Sequence, residues 1–271
     1  MRRALTTLGL LAAAAATASA DWKVTTVTES GSYRSVQTAY YKGKLARSDT
    51  DPWVSVADGN RQRAIQWNTA TREYVATRWT APPLREDSKQ LVVVRRNGKD
   101  TGERQSMFGY TARRFVVTEE RYAASKAGAA GQLQSRTTID GWYIDSSNMP
   151  RQLRAKSASY SFLSGHSYAY NRWRWSEPTV EVPRLQVERT GTLPAGLLVS
   201  GRTTVQFESG SSVSTEQVIE LSEAPLPDEL FRPPSDYRRV ISFSNALEPA
   251  LSTRVRRSWE MFEDWVSGLF S

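Results

Sequence analysis

A regular alternation of side-chain type runs through most of this chain and restricts it to β-structure. From Trp22 onward, apolar or aromatic residues alternate with polar ones, and β-branched residues are frequent. A period of two places successive side chains on opposite faces of a strand. Turn-forming residues interrupt the alternation at hairpin intervals, at positions 31–32, 42–44, 58–60 and 68–71. The N-terminal part is therefore predicted to be an antiparallel meander.

The same reasoning assigns strands over the rest of the chain. Asn97 and Gly98 predict a turn, because Asn-Gly is a strong hairpin signal. The hairpin that begins at position 198 is predicted to close the sheet, and Leu230 and Phe231 to pack against its edge. Residues 91–96 form an apolar run before the turn at Asn97 and Gly98. The predicted strands are 22–29, 33–41, 44–49, 53–57, 61–67, 73–79, 103–108, 110–121, 132–145, 180–189, 197–208 and 212–221.

Two segments depart from the β-pattern. The insert at about 152–178 has a short helix-compatible stretch, followed by four aromatic residues and two arginines between positions 168 and 175. It is interpreted either as a flap over the sheet or as a loop packed on its edge. Residues 244–271 predict an amphipathic helix, because apolar residues recur every three or four positions. These residues are Leu247, Leu251, Val255, Trp259, Phe262, Val266 and Leu269.

Residues 1–20 predict a cleaved signal peptide and a periplasmic or secreted product. Two arginines precede an apolar run, and small residues end the segment at Ala18, Ser19 and Ala20. The alternative is a membrane anchor, but the apolar run is shorter than the roughly 20 residues that span a bilayer. The chain has no cysteine, so neither disulfides nor a lipidated N-terminal cysteine are expected. Residues 21–243 are predicted to form one domain.

The order of several short motifs resembles the exported β-rich proteins of domain-of-unknown-function family 4412, which are similar in fold to the Lol-type periplasmic lipoprotein carriers. The resemblance implies a strongly curved antiparallel sheet, a half-barrel whose concave face is apolar. In the Lol-type relatives that face holds acyl chains, and the family implies no catalytic residue. The motifs are YYKGKLARSD at 40–49, GYTARRF at 109–115, TTIDGWYI at 137–144 with Met149 and Pro150 after it, and the exit 227–237.

Aromatic side chains are the candidate ligand-binding residues. Large amphipathic rings on a concave sheet would line an apolar pocket with a few polar groups. The alternative is that the strand tryptophans only fill the core. The candidates are Trp53, Trp67, Trp79, Trp142, Tyr168, Tyr170, Trp173 and Trp175.

Other kinds of site find little support in the sequence. The single histidine, His166, has no nucleophile elbow near it, so no catalytic residue is expected. Zinc sites require cysteines or several histidines, so neither a metal nor another cofactor is expected. The formal net charge of +8 is spread along the chain without a recognition motif, which argues against nucleic-acid binding.

Two functions follow as hypotheses. In the first, a non-enzymatic half-barrel binds an apolar or amphipathic ligand, such as a lipid, on its concave face. In the second, the protein has a structural or interaction role in the cell envelope, with a filled β-core and the C-terminal helix as its contact element. That helix could plug the open side of its own sheet, pack on another subunit or lie on a membrane surface.

Overall fold

The computed structural model describes residues 21–78, 91–124, 130–145, 149, 150, 153, 184–241 and 243. These residues form one open sheet of thirteen strands. The strands of the N-terminal meander are β1 (Trp22–Ser30), β2 (Tyr33–Lys42), β3 (Leu45–Thr50), β4 (Trp53–Asp58), β5 (Arg63–Asn68) and β6 (Glu73–Arg78). The remaining strands are β7 (Leu91–Met107), β8 (Tyr110–Ala124), β9 (Ala130–Ile144), β10 (Arg184–Gly191), β11 (Leu197–Phe207), β12 (Gly210–Glu223) and β13 (Arg238–Arg239).

The strand order is β10-β7-β8-β9-β11-β12-β1-β2-β3-β4-β5-β6-β13. The hairpin of β11 and β12 therefore joins the two halves of the sheet, since β12 pairs with β1 and β11 pairs with β9. The prediction that this hairpin closes the sheet was wrong in that respect.

Among the described residues, no helix combines the length and the hydropathy that crossing a membrane would need.

The N-terminal meander is confirmed, and each of its six strands begins and ends within two residues of the prediction. A wholly antiparallel sheet was wrong at two places, because β10 runs parallel to β7 and β13 runs parallel to β6. A parallel neighbour needs a long connection between the two strands. Residues 108–183 separate β7 from β10, and residues 79–237 separate β6 from β13.

The turn predicted at Asn97 and Gly98 was also wrong, because both residues lie within β7. Gly98 lies opposite Gly191 of β10, and its carbonyl accepts a hydrogen bond from the Thr192 N–H at 2.8 Å. A Cβ at Gly98 would collide with the carbonyl oxygen of Thr192. Glycine at position 98 therefore allows the backbones of β7 and β10 to approach closely, which is a common reason for a glycine within a strand.

The sheet is strongly bent between β8 and β1. Four strand-to-strand steps separate these strands, which corresponds to about 19 Å in a flat sheet. Yet the rings of Trp22 on β1 and Tyr110 on β8 lie only 6.2 Å apart between centroids. The Tyr110 hydroxyl also donates to Oε2 of Glu223 on β12 at 3.4 Å. Both contacts require the sheet to curl toward itself.

Three clusters of buried residues form the core. The main cluster collects residues from β1, β2, β3, β8, β9, β11 and β12 together with Met149 and Leu153. The second cluster lies on β4 and β5 and is covered by Phe231, which ends a short 3-10 helix (Asp228–Phe231). The third cluster lies on β8, β9 and β11. Phe231 thus packs on a face of the meander, where the sequence predicted a contact with the sheet edge.

The predicted helical insert and the predicted C-terminal helix lie outside the described residues, with the exception of Leu153 and its fully buried side chain. The predicted signal peptide lies outside them as well. Met149 and Leu153 show that the base of the insert contributes to the main cluster.

Candidate functional site

The main cluster brings aromatic side chains from four strands together. Trp22 and Tyr41 are almost completely buried, while Tyr110 and Trp142 are partly buried and pack against the cluster. The Trp22 and Tyr110 rings meet at an interplanar angle of 36°. The wall that results is apolar, and it lies inside the bend between β8 and β1.

The indole N–H of Trp22 is a polar group inside this apolar region. The Trp22 side chain is 0% exposed, and its Nε1 has no hydrogen-bond acceptor among the described residues. An indole can only donate, and a buried donor without an acceptor costs about 1–3 kcal/mol. Such a group in a native interior requires an explanation, and an acceptor supplied by a ligand is one.

Tyr110 places a polar hydroxyl, hydrogen-bonded to Glu223, at the edge of the same aromatic cluster. Burial, and next the negative charge of Glu223, raise the pKa of the Tyr110 hydroxyl above its ordinary value. The phenol therefore stays protonated at neutral pH and donates its proton to Glu223. Trp22 and Tyr110 together give this region an apolar surface with polar groups at its edge, an arrangement suited to an amphipathic ligand.

The predicted site residues that the structure describes do not share one pocket. Trp142 packs on the main cluster, and Trp67 belongs to the second cluster. The ring of Trp53 makes an edge-on contact with Phe243, at 4.8 Å between centroids. The other candidates, Trp79, Tyr168, Tyr170, Trp173 and Trp175, lie outside the described residues.

Trp67 takes part in an anchor for the Pro-rich exit. The guanidinium group of Arg47 lies over the rings of Trp67 and Tyr40, at 5.3 and 5.4 Å. It makes two hydrogen bonds to Asp49 and donates a third, of 2.6 Å, to the carbonyl oxygen of Leu230. This geometry combines cation–π and charge-assisted bonds, so Trp67 holds the exit segment onto the meander.

A buried ionic group lies on β7 and β8. Oε2 of Glu119 accepts a hydrogen bond from Arg96 at 2.7 Å, and Oε1 accepts one from Arg121 at 3.0 Å. The side chain of Glu119 is 3% exposed. Neighbouring hydroxyl side chains, Ser135 and Thr137, are buried on β9 beside it. We propose that this carboxylate, held between two guanidinium groups, helps to fix the register of the long strands.

A more exposed acidic group should make stability depend on pH. A hydrogen bond from Arg113, then the Gly102 N–H and Arg104, hold the pKa of Asp100 well below its usual range. Ionised Asp100 therefore stabilises the fold fully above its unfolded pKa of about 4. That contribution is lost as the pH falls from there through the lower folded pKa.

We expect Asp100→Asn to be less stable than the unmodified protein at neutral pH, with a difference that shrinks as the pH falls below about 4. Urea midpoints measured from neutral to acidic pH would show this. Asp236→Asn is the control, because the ion pair of Asp236 with Arg72, at 3.6 Å, is exposed. A constant difference for Asp100→Asn at every pH would contradict the assignment.

Sequence reasoning omitted Trp22, Tyr41 and Tyr110 from the candidates. Trp22 was recognised as a strand aromatic, but nothing in its neighbourhood distinguishes it from the other strand tryptophans. The bend that brings it to Tyr110 depends on the pairing of β1 with β12, which is distant in sequence.

In the described part of the chain, no group of three or more acidic, histidine or cysteine side chains could hold a metal ion. His166 lies outside that part.

No protein-family model and no curated protein matches the chain. Among solved structures, it is similar to an uncharacterised conserved protein from Thermus thermophilus, with 11% identity, a TM-score of 0.37 and coverage of 82% of this chain and 90% of that one. It is also similar to a DUF1329 family protein from Desulfovibrio piger, with 11% identity, a TM-score of 0.24 and coverage of 79% and 90%. Similarities this low do not identify what the chain binds, and membership of family 4412 stays a prediction.

Proposed function

We propose that this is an exported, non-enzymatic protein that binds an apolar or amphipathic ligand, such as a lipid acyl chain, on the concave side of a half-barrel. The observation that carries the proposal is the buried Trp22 N–H, which lacks an acceptor among the described residues. It lies in an apolar cluster inside the bend of the sheet. A carbonyl or carboxylate of an amphipathic ligand would accept from it.

The composition of the site favours this class of ligand. The partly buried ring of Tyr110 would contact an alkyl chain, while the Trp22 N–H would fix the polar end of the ligand. The export signal predicted in residues 1–20 and the absence of cysteine are in keeping with a carrier or binding protein of the periplasm or the extracellular space.

Titration of the delipidated mature chain with 11-(dansylamino)undecanoic acid tests the proposal. We expect saturable fluorescence enhancement with one probe per chain, and displacement by unlabelled palmitate. Trp22→Phe keeps an aromatic ring but removes the N–H, so it should weaken binding about tenfold. Trp67→Phe, in the second cluster, should bind like the unmodified protein. Absence of saturable binding would rule out the proposal.

A second candidate is a structural or interaction protein of the cell envelope, with residues 244–271 as the contact element. Met149 and Leu153 favour it, because both are almost completely buried in the main cluster and fill part of the interior. A chain that ends before Asn245 separates the candidates. The ligand-binding proposal expects probe binding to survive this truncation. The second candidate expects no probe binding, and loss of membrane or partner association.

A further inference from the structure

The face of β4 that carries Trp53 is the subject of a further inference about which part of the chain covers it. Strand β4 is buried at all six positions, so both faces of the sheet are covered there. On one face, Val54 and Val56 belong to the second cluster beneath Phe231. Trp53, Ser55 and Ala57 alternate with them and therefore point to the opposite face. That opposite face is called the small-residue face here.

The small-residue face consists largely of small side chains, and its polar groups are hydrogen-bonded to each other. Ala57 pairs with Ala46, and Ser55 pairs with Gln66. The amide of Gln66 donates to the hydroxyl of Ser55 at 3.4 Å. Small side chains let another element approach the sheet closely, and paired polar groups lower the cost of covering them with apolar side chains.

The path of the chain leads onto this face. The half-buried Phe243 is the last described residue, and its ring meets Trp53 edge-on at 4.8 Å and 80°. Residues 244–271 follow it directly. Their apolar residues recur at helical spacing and would form one continuous stripe. The small side chains of this face, the ring of Trp53 and the start of the amphipathic segment therefore lie next to one another.

We infer that the small-residue face is the docking surface for the C-terminal segment of the same chain, residues 245–271. In this proposal, the helix predicted for these residues would place its apolar stripe on the sheet and its charged residues toward solvent. Phe243 and Trp53 form the hinge contact that directs it there. The small-residue face is continuous with the main cluster through Ala46, which pairs with Ala57, so the docked segment would lie beside the proposed ligand site. The inference does not require a bound ligand, and it gives the segment an intramolecular partner in place of a membrane or another subunit.

Limited trypsin digestion of the full mature chain tests the docking. Arg254, Arg256 and Arg257 supply cleavage sites within the segment. Cleavage of a docked segment requires its release, so the rate follows the population of the released form. We expect slow cleavage at these sites in the unmodified protein. Phe243→Ala and Trp53→Ala should accelerate it about tenfold, which corresponds to a tenfold larger released population.

Phe115→Ala is the matched control, because Phe115 is likewise a buried aromatic residue but belongs to the third cluster, on β8, β9 and β11. It should leave cleavage at the three arginines slow under conditions where urea titration shows the variant folded. Equal acceleration by Phe115→Ala and Trp53→Ala would overturn the inference, since it would indicate global opening. Rapid cleavage of the unmodified chain would overturn it too. So would protection that needs anionic vesicles or a high protein concentration.

Discussion

Glu119→Ala is expected to destabilise the protein by about 3–5 kcal/mol. The carboxylate is buried and accepts hydrogen bonds from both Arg96 and Arg121, so its removal takes the shared negative charge away from two largely buried guanidinium groups. Taking one member out of a buried ionic group costs more than the group contributes as a whole. Urea unfolding followed by far-ultraviolet circular dichroism would measure the loss.

Glu103→Ala is the comparison for this variant. Glu103 contacts Arg114 at 2.9 Å, but both side chains are substantially exposed, so the loss should stay within about 1 kcal/mol. The two variants remove the same carboxylate chemistry from neighbouring strands. If both lost the same small amount, the Glu119 group would be open to solvent in solution, and its proposed role in strand register would be wrong.

Trp22→Ala is expected to cost a comparable amount, about 3–5 kcal/mol, because it removes a fully buried indole from the main cluster. The two halves of the sheet meet through this ring, so the variant should also expand the fold near β8. Urea unfolding gives the free energy, and hydrogen exchange of the amides on β1, β8 and β12 would locate the change.

Tyr33→Ala serves as the control for Trp22→Ala. Tyr33 is also an aromatic residue of the meander, but it is 46% exposed, and its loss should change stability by about 0.5 kcal/mol or less. Exchange rates on β8 that respond equally to both variants would contradict the proposed contact across the bend. Trp22→Phe should lie between the two in stability, because a smaller ring leaves only a partial cavity.

The meander was predictable because its information is local. Each of its strands alternates between two faces, and each turn carries residues such as Gly31 and Gly43 that accept positive φ. The same rules failed at Gly98, where glycine permits the approach of a strand that arrives almost a hundred residues later. Nothing in the neighbouring sequence distinguishes a turn glycine from a contact glycine when the contact is that remote.

The candidate site was less predictable for the same reason. The aromatic residues of the strands could be recognised, and Trp142 does pack against the main cluster. Which of them face the interior depends on the bend and on the pairing of β1 with β12. Trp67 illustrates the difficulty, since its ring is used by Arg47 to hold the exit segment. A pattern of period two gives the alternation of faces but does not say what covers each face.

The insertion of the β11–β12 hairpin at the centre of the sheet has a consequence for how the chain reaches its fold. Lys23 on β1 contacts Glu220 on β12 across 197 positions of sequence. Pairings of such high contact order form slowly, because a long loop must close before they contribute any stability. The first strand therefore waits for nearly the last one to emerge from the ribosome. During that interval the two halves of the sheet remain unjoined.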